Sequence, residues 1–147
     1  TTSQIIDDVR AFRSDIGILY LDDFNARVLQ KAFADARASF HPLFDATVHV
    51  FVSERHPLAR RPQLSLADLT NLLITSNGYT LSTGVLSNEM QWGMASIPLA
   101  DAPTMHVGYI MHDERRPSPL LQQYLDELNR IIHANQLSED GVEIIDC

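Results

Sequence analysis

The chain has 147 residues, 45% hydrophobic and 20% charged, which fits one globular domain with a real core. Its 19 acidic and 11 basic residues give a formal net charge of −8, so it lacks the counterion-releasing character of a DNA-binding surface, and any DNA contact falls to a segment outside it. No apolar run approaches the roughly 20 residues that span a bilayer, and a single cysteine, Cys147, excludes an internal disulfide or a multi-thiolate metal site and points to a reducing compartment.

The first residues carry Asp7-Asp8 and no apolar signal region, so export is not indicated. Thr2 or Ser3 can cap a helix running to about Phe12, with Ile5, Ile6 and Val9 at helical spacing. Asp15 to Leu21 is almost wholly apolar and reads as a strand buried on both faces. Asn25 can cap a second helix, whose stripe is Val28, Leu29, Ala32, Phe33 and Ala36. Two extended segments follow, Ser39 to Phe44 and Thr47 to Ser53. In the second, Val48, Val50 and Val52 alternate with His49 and Phe51.

His56 to Pro62 is a basic, proline-punctuated loop. Ser65 caps the next helix, and Asp68 stands where its carboxylate can reach back to the Ser65 amide. Asn77-Gly78 signals a turn, Tyr79 to Leu86 reads as extended, and Gly93 to Leu99 and Met105 to Met111 read as strands. Ser118-Pro119 opens a final helix with Leu120, Leu121, Tyr124, Leu125, Leu128, Ile131 and Ile132 as its buried stripe. An acidic tail from Leu137 to Cys147 ends the chain. Helices interleaved with apolar strands predict an α/β class with at least partly parallel pairing.

Catalytic and metal patterns fail on spacing. The six histidines form no i, i+4 helical pair and have no neighbouring thiolate, so they read as structural or solvated. Ser82 lacks the preceding glycine of a nucleophile elbow, and no phosphate-loop glycine pattern occurs. Arg55, Arg60 and Arg61 form a small basic loop without the charge or aromatic interleaving of a nucleic-acid surface. Trp92, with Met90 and Met94, marks either an exposed apolar contact or a core filler, and packing is the default reading for such residues. Tyr20, Asp22, Asp23 and Asn25 follow the carboxyl end of a strand, where open α/β sheets bind ligands; a plain strand-to-helix loop is the other reading.

Three colinear stretches carry a family resemblance: Ser14 to Leu19; Val48 to Ala59 with the "LSLADL" of Leu64 to Leu69; and Asn77 to Gly84 followed by Ala95 to Leu99 and Val107 to Ile110. A strand, then "HPLA", then "LSLADL" resembles the effector-sensing domain of LysR-type bacterial transcription regulators. The resemblance implies a periplasmic-binding-protein-like (type 2) α/β fold, a three-layer α/β/α sandwich represented mostly by its first subdomain. It implies residues 1–69 as the first part of subdomain I, 70–99 as a remnant of subdomain II and the crossover, 100–136 as the return to subdomain I, and 137–147 as a tail. Relative to the family pattern, the sequence lacks the strands expected before Thr1 and most of subdomain II expected after Leu69.

The function so implied is non-catalytic. A small-molecule effector is bound in a cleft, the sensing domains self-associate, and DNA is reached only through a winged helix-turn-helix domain outside this chain. No cofactor, metal or membrane is implied, and the location is cytoplasmic. The resemblance places Thr80, Ser82 and Thr83 near the crossover as cleft residues alongside Tyr20, Asp23 and Asn25; alternatively the hydroxyls at 80–83 satisfy local backbone groups. The competing functional reading is a small-molecule-binding protein of the periplasmic type. An enzyme reusing the fold is a third, and no pair of titratable residues has recognisable catalytic spacing.

Overall fold

The computed structural model describes residues 1–75, 80–82 and 92–136. Among the described residues the chain forms two compact units: 1–45 with 106–136, and the described part of 46–105. It therefore passes between units after Asp45 and after Met105. No helix among the described residues is long and apolar enough to cross a membrane.

The first unit is built on a three-stranded sheet of order β1-β6-β2, from β1 (Gly17–Leu21), β2 (Ala38–Ala46) and β6 (Met105–His112). Three helices accompany it: α1 (Thr2–Arg10), α2 (Ala26–Asp35) and α4 (Pro119–Gln136). Helix α1 begins earlier than the apolar spacing suggests, because Thr1 rather than Thr2 or Ser3 is the cap, closing a capping box with Gln4. It ends at Phe12 in the left-handed conformation (φ 58°). There the Phe12 N–H reaches the Val9 carbonyl and the Arg13 N–H reaches that of Asp8, the pair of bonds that closes a Schellman motif.

Val9 and Ile110 are fully buried in this unit's core, with Ile6, Leu19, Leu21, Phe33, Ala36 and Ala38 around them. Burying one such aliphatic side chain stabilises by about 1.5–3 kcal/mol. Two glycines allow the layers to close. A Cβ on Gly17 would meet the Ile5 methyl of α1 at 2.3 Å, and one on Gly108 would meet the His41 carbonyl at 2.4 Å and the Phe40 ring at 2.5 Å.

Strand β1 is buried on one face only, not both: Leu19 and Leu21 enter the core while Ile18 (46%) and Tyr20 (42%) stay half exposed. It is an edge strand of a small sheet, and an unbroken apolar run does not report how many faces are covered. Val28 (70% exposed) likewise leaves the predicted stripe of α2, whose Phe33 and Ala36 are buried with Leu29 and Ala32 packed against the same core. On α4, Leu121 and Leu125 are buried, but Leu120 (76%) and Tyr124 (49%) face outward, so the predicted stripe was too wide. Ser118 does cap this helix, its Oγ accepting from the Leu121 N–H at 3.1 Å.

The second unit has the sheet order β4-β3-β5, from β3 (His49–Ser53), β4 (Thr80–Ser82) and β5 (Met94–Pro98), with helix α3 (Leu66–Thr75). Val50, Val52, Leu64, Leu72, Ile97 and Leu99 form its core. The capping box at α3 is as the sequence predicts: Asp68 accepts from the Ser65 N–H at 2.9 Å and Ser65 Oγ accepts from the Asp68 N–H at 3.2 Å. The β1–β6, β3–β4 and β3–β5 ladders are all antiparallel, and the expected parallel pairing is seen at the isolated Leu64–Leu99 bridge. Hydrophobic pattern specifies which side chains are buried and carries no information on strand direction, so which ladders run antiparallel is settled only by the strand register. The Asn77-Gly78 turn, the extended reading beyond Ser82, and the 137–147 tail lie outside the described residues.

Candidate functional site

The first unit carries a polar constellation where β1 ends. After Leu21 the chain turns on Asp22, whose Oδ1 accepts from the Phe24 and Asn25 N–H groups, both at 2.9 Å. Asn25 answers in reverse. Its Oδ1 accepts from the Asp22 N–H at 2.8 Å, and its Nδ2 donates to the Tyr20 carbonyl at 3.3 Å. Asn25 does occupy the cap position of α2, but its side chain makes no cap bond; it is spent on the loop. The result is a locally cross-braced turn that fixes the backbone on both sides of Asp23, itself exposed.

Strand β6 adds a group that spacing did not reveal. Its register sets Val107 opposite Tyr20 and His106 opposite Leu21, so His106 arrives at the same end of β1. The His106 ring Nδ1 lies 2.6 Å from Asp45 Oδ1 of β2. A carboxylate only accepts, so Nδ1 carries the proton and Nε2 is left as the group able to meet a ligand. Both side chains are exposed, so the attraction is screened and modest. With Asp22, Asp23 and Asp45 nearby in sequence or register, this end of the sheet is acidic and suits hydroxyl, amine or neutral polar groups better than a bare anion. The signal for His106 and Asp45 was weak, because only the strand register brings residues 61 apart in sequence together.

Thr80 and Ser82 lie in the second unit, on β4, opposite Phe51 and His49 of β3. Thr83 is outside the described residues. The structure thus brings Tyr20, Asp23 and Asn25 together in one unit and holds Thr80 and Ser82 on one strand of the other. A further ring cluster closes the opposite end of β6. His112 is buried, accepts from the Glu114 N–H through Nδ1 at 3.1 Å, and packs on the Phe12 ring at 4.3 Å. Arg115 lies over the same ring and pairs with Asp15. These are packing and capping roles.

An open groove of about 690 Å³ runs along α4 against Pro119, Gln122, Gln123, Asp126, Glu127 and Arg130, away from the residues above in sequence and lined by long polar side chains. It lacks the convergent apolar walls of a small-molecule pocket. Arg130 holds the Glu127 carboxyl below its ordinary range by a direct hydrogen bond, as an exposed helical pair does. Among the described residues, no three His, Cys, Asp or Glu side chains are grouped to hold a metal ion.

A family model described as the LysR substrate binding domain matches residues 1–81 of the 147. Among solved structures, the chain is similar to the LysR family regulator HinK from Pseudomonas aeruginosa (12% identity, TM-score 0.58, 89% of this chain and 57% of that one). It is similar to the reduced form of OxyR (19%, TM-score 0.56, 95% and 80%) and to the effector binding domain of QuiR in complex with shikimate (14%, TM-score 0.59, 91% and 79%). At these identities the likeness is one of fold. The chain spans 57% of the length of the HinK chain it matches. No curated protein matches it.

Proposed function

The chain belongs to the LysR substrate-binding domain family, with the periplasmic-binding-protein-like α/β fold of that family's effector-binding domains, and from this membership we propose that it senses a small organic effector for a bacterial transcription regulator. The observation that carries the reading is the family match across residues 1–81, which takes in the β1 turn, the "HPLA" loop and the capped α3. The chain does no chemistry of its own. It works in the cytoplasm, self-associates through its sensing domains, and controls DNA binding by a separate winged helix-turn-helix domain. Tyr20, Asp23 and Asn25 supply one set of effector contacts; Thr80, Ser82 and Thr83 supply the other. Residues 1–69 and 100–136 represent subdomain I, and 70–99 what is present of subdomain II.

The physical logic is a population shift. An effector changes the regulator only in so far as it binds one arrangement of the domain more tightly than another. The β1 turn suits such a role because its backbone is fixed by four reciprocal hydrogen bonds before any ligand arrives, which lowers the ordering cost of binding.

A thermal-shift screen of small polyols, amino compounds and neutral hydroxylated molecules, with small acids as the contrasting class, tests the reading. A true effector at a hundredfold excess over its Kd stabilises by about 2.7 kcal/mol, a rise of several degrees. Supporting compounds raise the midpoint of the wild-type chain and do so less for Asn25→Ala. Turnover of any panel compound by the purified chain would contradict the non-catalytic role.

A further inference from the structure

Two histidines without a metal or catalytic pattern stand beside the points where the chain crosses between its units. His106 is the first residue after the return to the first unit, and His49 opens β3, the first strand wholly inside the second. Each ring has one nitrogen engaged. The His106 Nδ1 lies 2.6 Å from an Asp45 carboxylate oxygen, and the His49 Nδ1 lies 2.9 Å from the Thr47 carbonyl oxygen. Both partners only accept, so in the neutral ring the proton sits on Nδ1 in both cases. Nε2 is then a bare lone pair, able to meet only a donor. Among the described residues, nothing bonds either Nε2.

Both rings are within reach of a ligand: the His106 side chain is 48% exposed and His49 is half-buried. In the first unit the register sets His106 opposite Leu21, the residue before the Asp22–Asn25 turn. In the second it sets His49 opposite Ser82 of β4 and Pro98 of β5. Each histidine is thus adjacent, along or across a strand, to one of the two sets of effector contacts proposed above. The charged groups around His106 are Asp22, Asp23 and Asp45, carboxylates that likewise only accept.

We propose that His49 and His106 are specificity-determining residues for the effector, each receiving a hydroxyl or amine hydrogen on Nε2, and that the effector class is a polyol or an amine rather than a carboxylate. This rests on the sensing role proposed above and names its ligand class. The cost of the wrong ligand sets the preference. A carboxylate oxygen brought against Nε2 places lone pair against lone pair and displaces the water that had satisfied the ring, so an acceptor is left unpaired. A site made to take a hydrogen bond rejects an analogue lacking the donor far more strongly than apolar packing does. Asp45 and Thr47 are positioning groups here: they act on the ligand only by fixing which ring nitrogen is bare.

Two-bond proton–nitrogen NMR correlations of the isotope-labelled 147-residue chain read the tautomers directly, at a pH well above the ordinary imidazole value of about 6.5. Both rings should show the Nδ1–H form, and Asp45→Ala should return His106 to the Nε2–H form that free imidazole favours. An Nε2–H form of both rings in the wild-type chain overturns the assignment, whatever binds. Sorbitol, myo-inositol, ethanolamine and putrescine are then titrated beside gluconate and quinate. The expected result is a polyol or amine that moves both Nε2 resonances saturably and binds about fivefold more weakly to His49→Ala and to His106→Ala, with unchanged circular dichroism confirming folding. Acids that move these resonances while polyols and amines do not overturn the ligand class. Binding of any panel member that both alanine variants leave unchanged overturns the role of the histidines and leaves effector sensing standing. No binding by any member of the panel contradicts the sensing role and this specificity together.

Discussion

Replacing Gly108 by alanine isolates a steric constraint at the centre of the β1-β6-β2 sheet. Its backbone has no left-handed requirement, so the cost is one of space alone. The added Cβ would stand 2.4 Å from the His41 carbonyl oxygen on neighbouring β2 and 2.5 and 2.7 Å from two atoms of the Phe40 ring, where ordinary contact begins near 3.4 Å. The ring has little room to retreat, because Phe40 lies stacked with Phe33, centroids 6.3 Å apart, and Phe33 is in the core. The carbonyl belongs to a strand whose position the sheet fixes. Overpacking of this kind costs about 1–3 kcal/mol, and contact with backbone favours the upper part of that range. Alanine recovers roughly 0.4–1 kcal/mol through the less free unfolded chain. The net is a loss of about 2 kcal/mol. Urea unfolding followed by circular dichroism measures it, with an unchanged slope showing that the surface exposed on unfolding is the same in both chains. Gly108→Ala combined with Phe40→Leu separates ring from carbonyl and should remain less stable than Phe40→Leu alone. A Gly108→Ala chain as stable as wild type would refute the packing described around β6.

Three further outcomes are expected. The Ser65 backbone N–H, the Ser65 hydroxyl and Arg61 hold the Asp68 carboxyl below its ordinary value of 3.8. Its stabilising effect is therefore fully present above that value and lost as pH falls through the lower folded pKa; Asp68→Asn should flatten the acid limb of a stability-versus-pH curve, and Ser65→Ala should cost about 1 kcal/mol at neutral pH. Arg37 follows α2 in the left-handed conformation (φ 53°), its side chain held by an exposed pair to Glu114 at 3.3 Å, so Arg37→Gly should stabilise by up to about 1 kcal/mol in urea titration. Asn25→Ala frees the Asp22 N–H and the Tyr20 carbonyl, and should cost about 1 kcal/mol and speed amide exchange at residues 22–25.

The sequence disclosed what local chemistry decides. The Ser65–Asp68 box and the Ser118 cap are set by three-residue reach, and β3, β5 and β6 by apolar pattern between turn signals. The "HPLA" and "LSLADL" segments identified the family because they are contiguous words. What escaped reading depends on pairing between distant residues. Whether Ile18 and Tyr20 are covered, whether β1 runs antiparallel to β6, and how Asp45 comes to meet His106 all follow from strand order rather than from local sequence. Asn25 shows the same limit at short range: its type marks a cap, but Asp22 and the Tyr20 carbonyl offered its side chain better partners. Left-handed residues were also missed, because Phe12 and Arg37 stand where glycine or asparagine would have announced the turn.

The most direct measurement is amide chemical-shift mapping by NMR of the isotope-labelled chain against the strongest hits of the small-molecule screen. Effector sensing predicts saturable shifts concentrated at residues 20–25 and 80–83. Absence of any saturable shift across the panel, or shifts confined to the groove along α4, would contradict it.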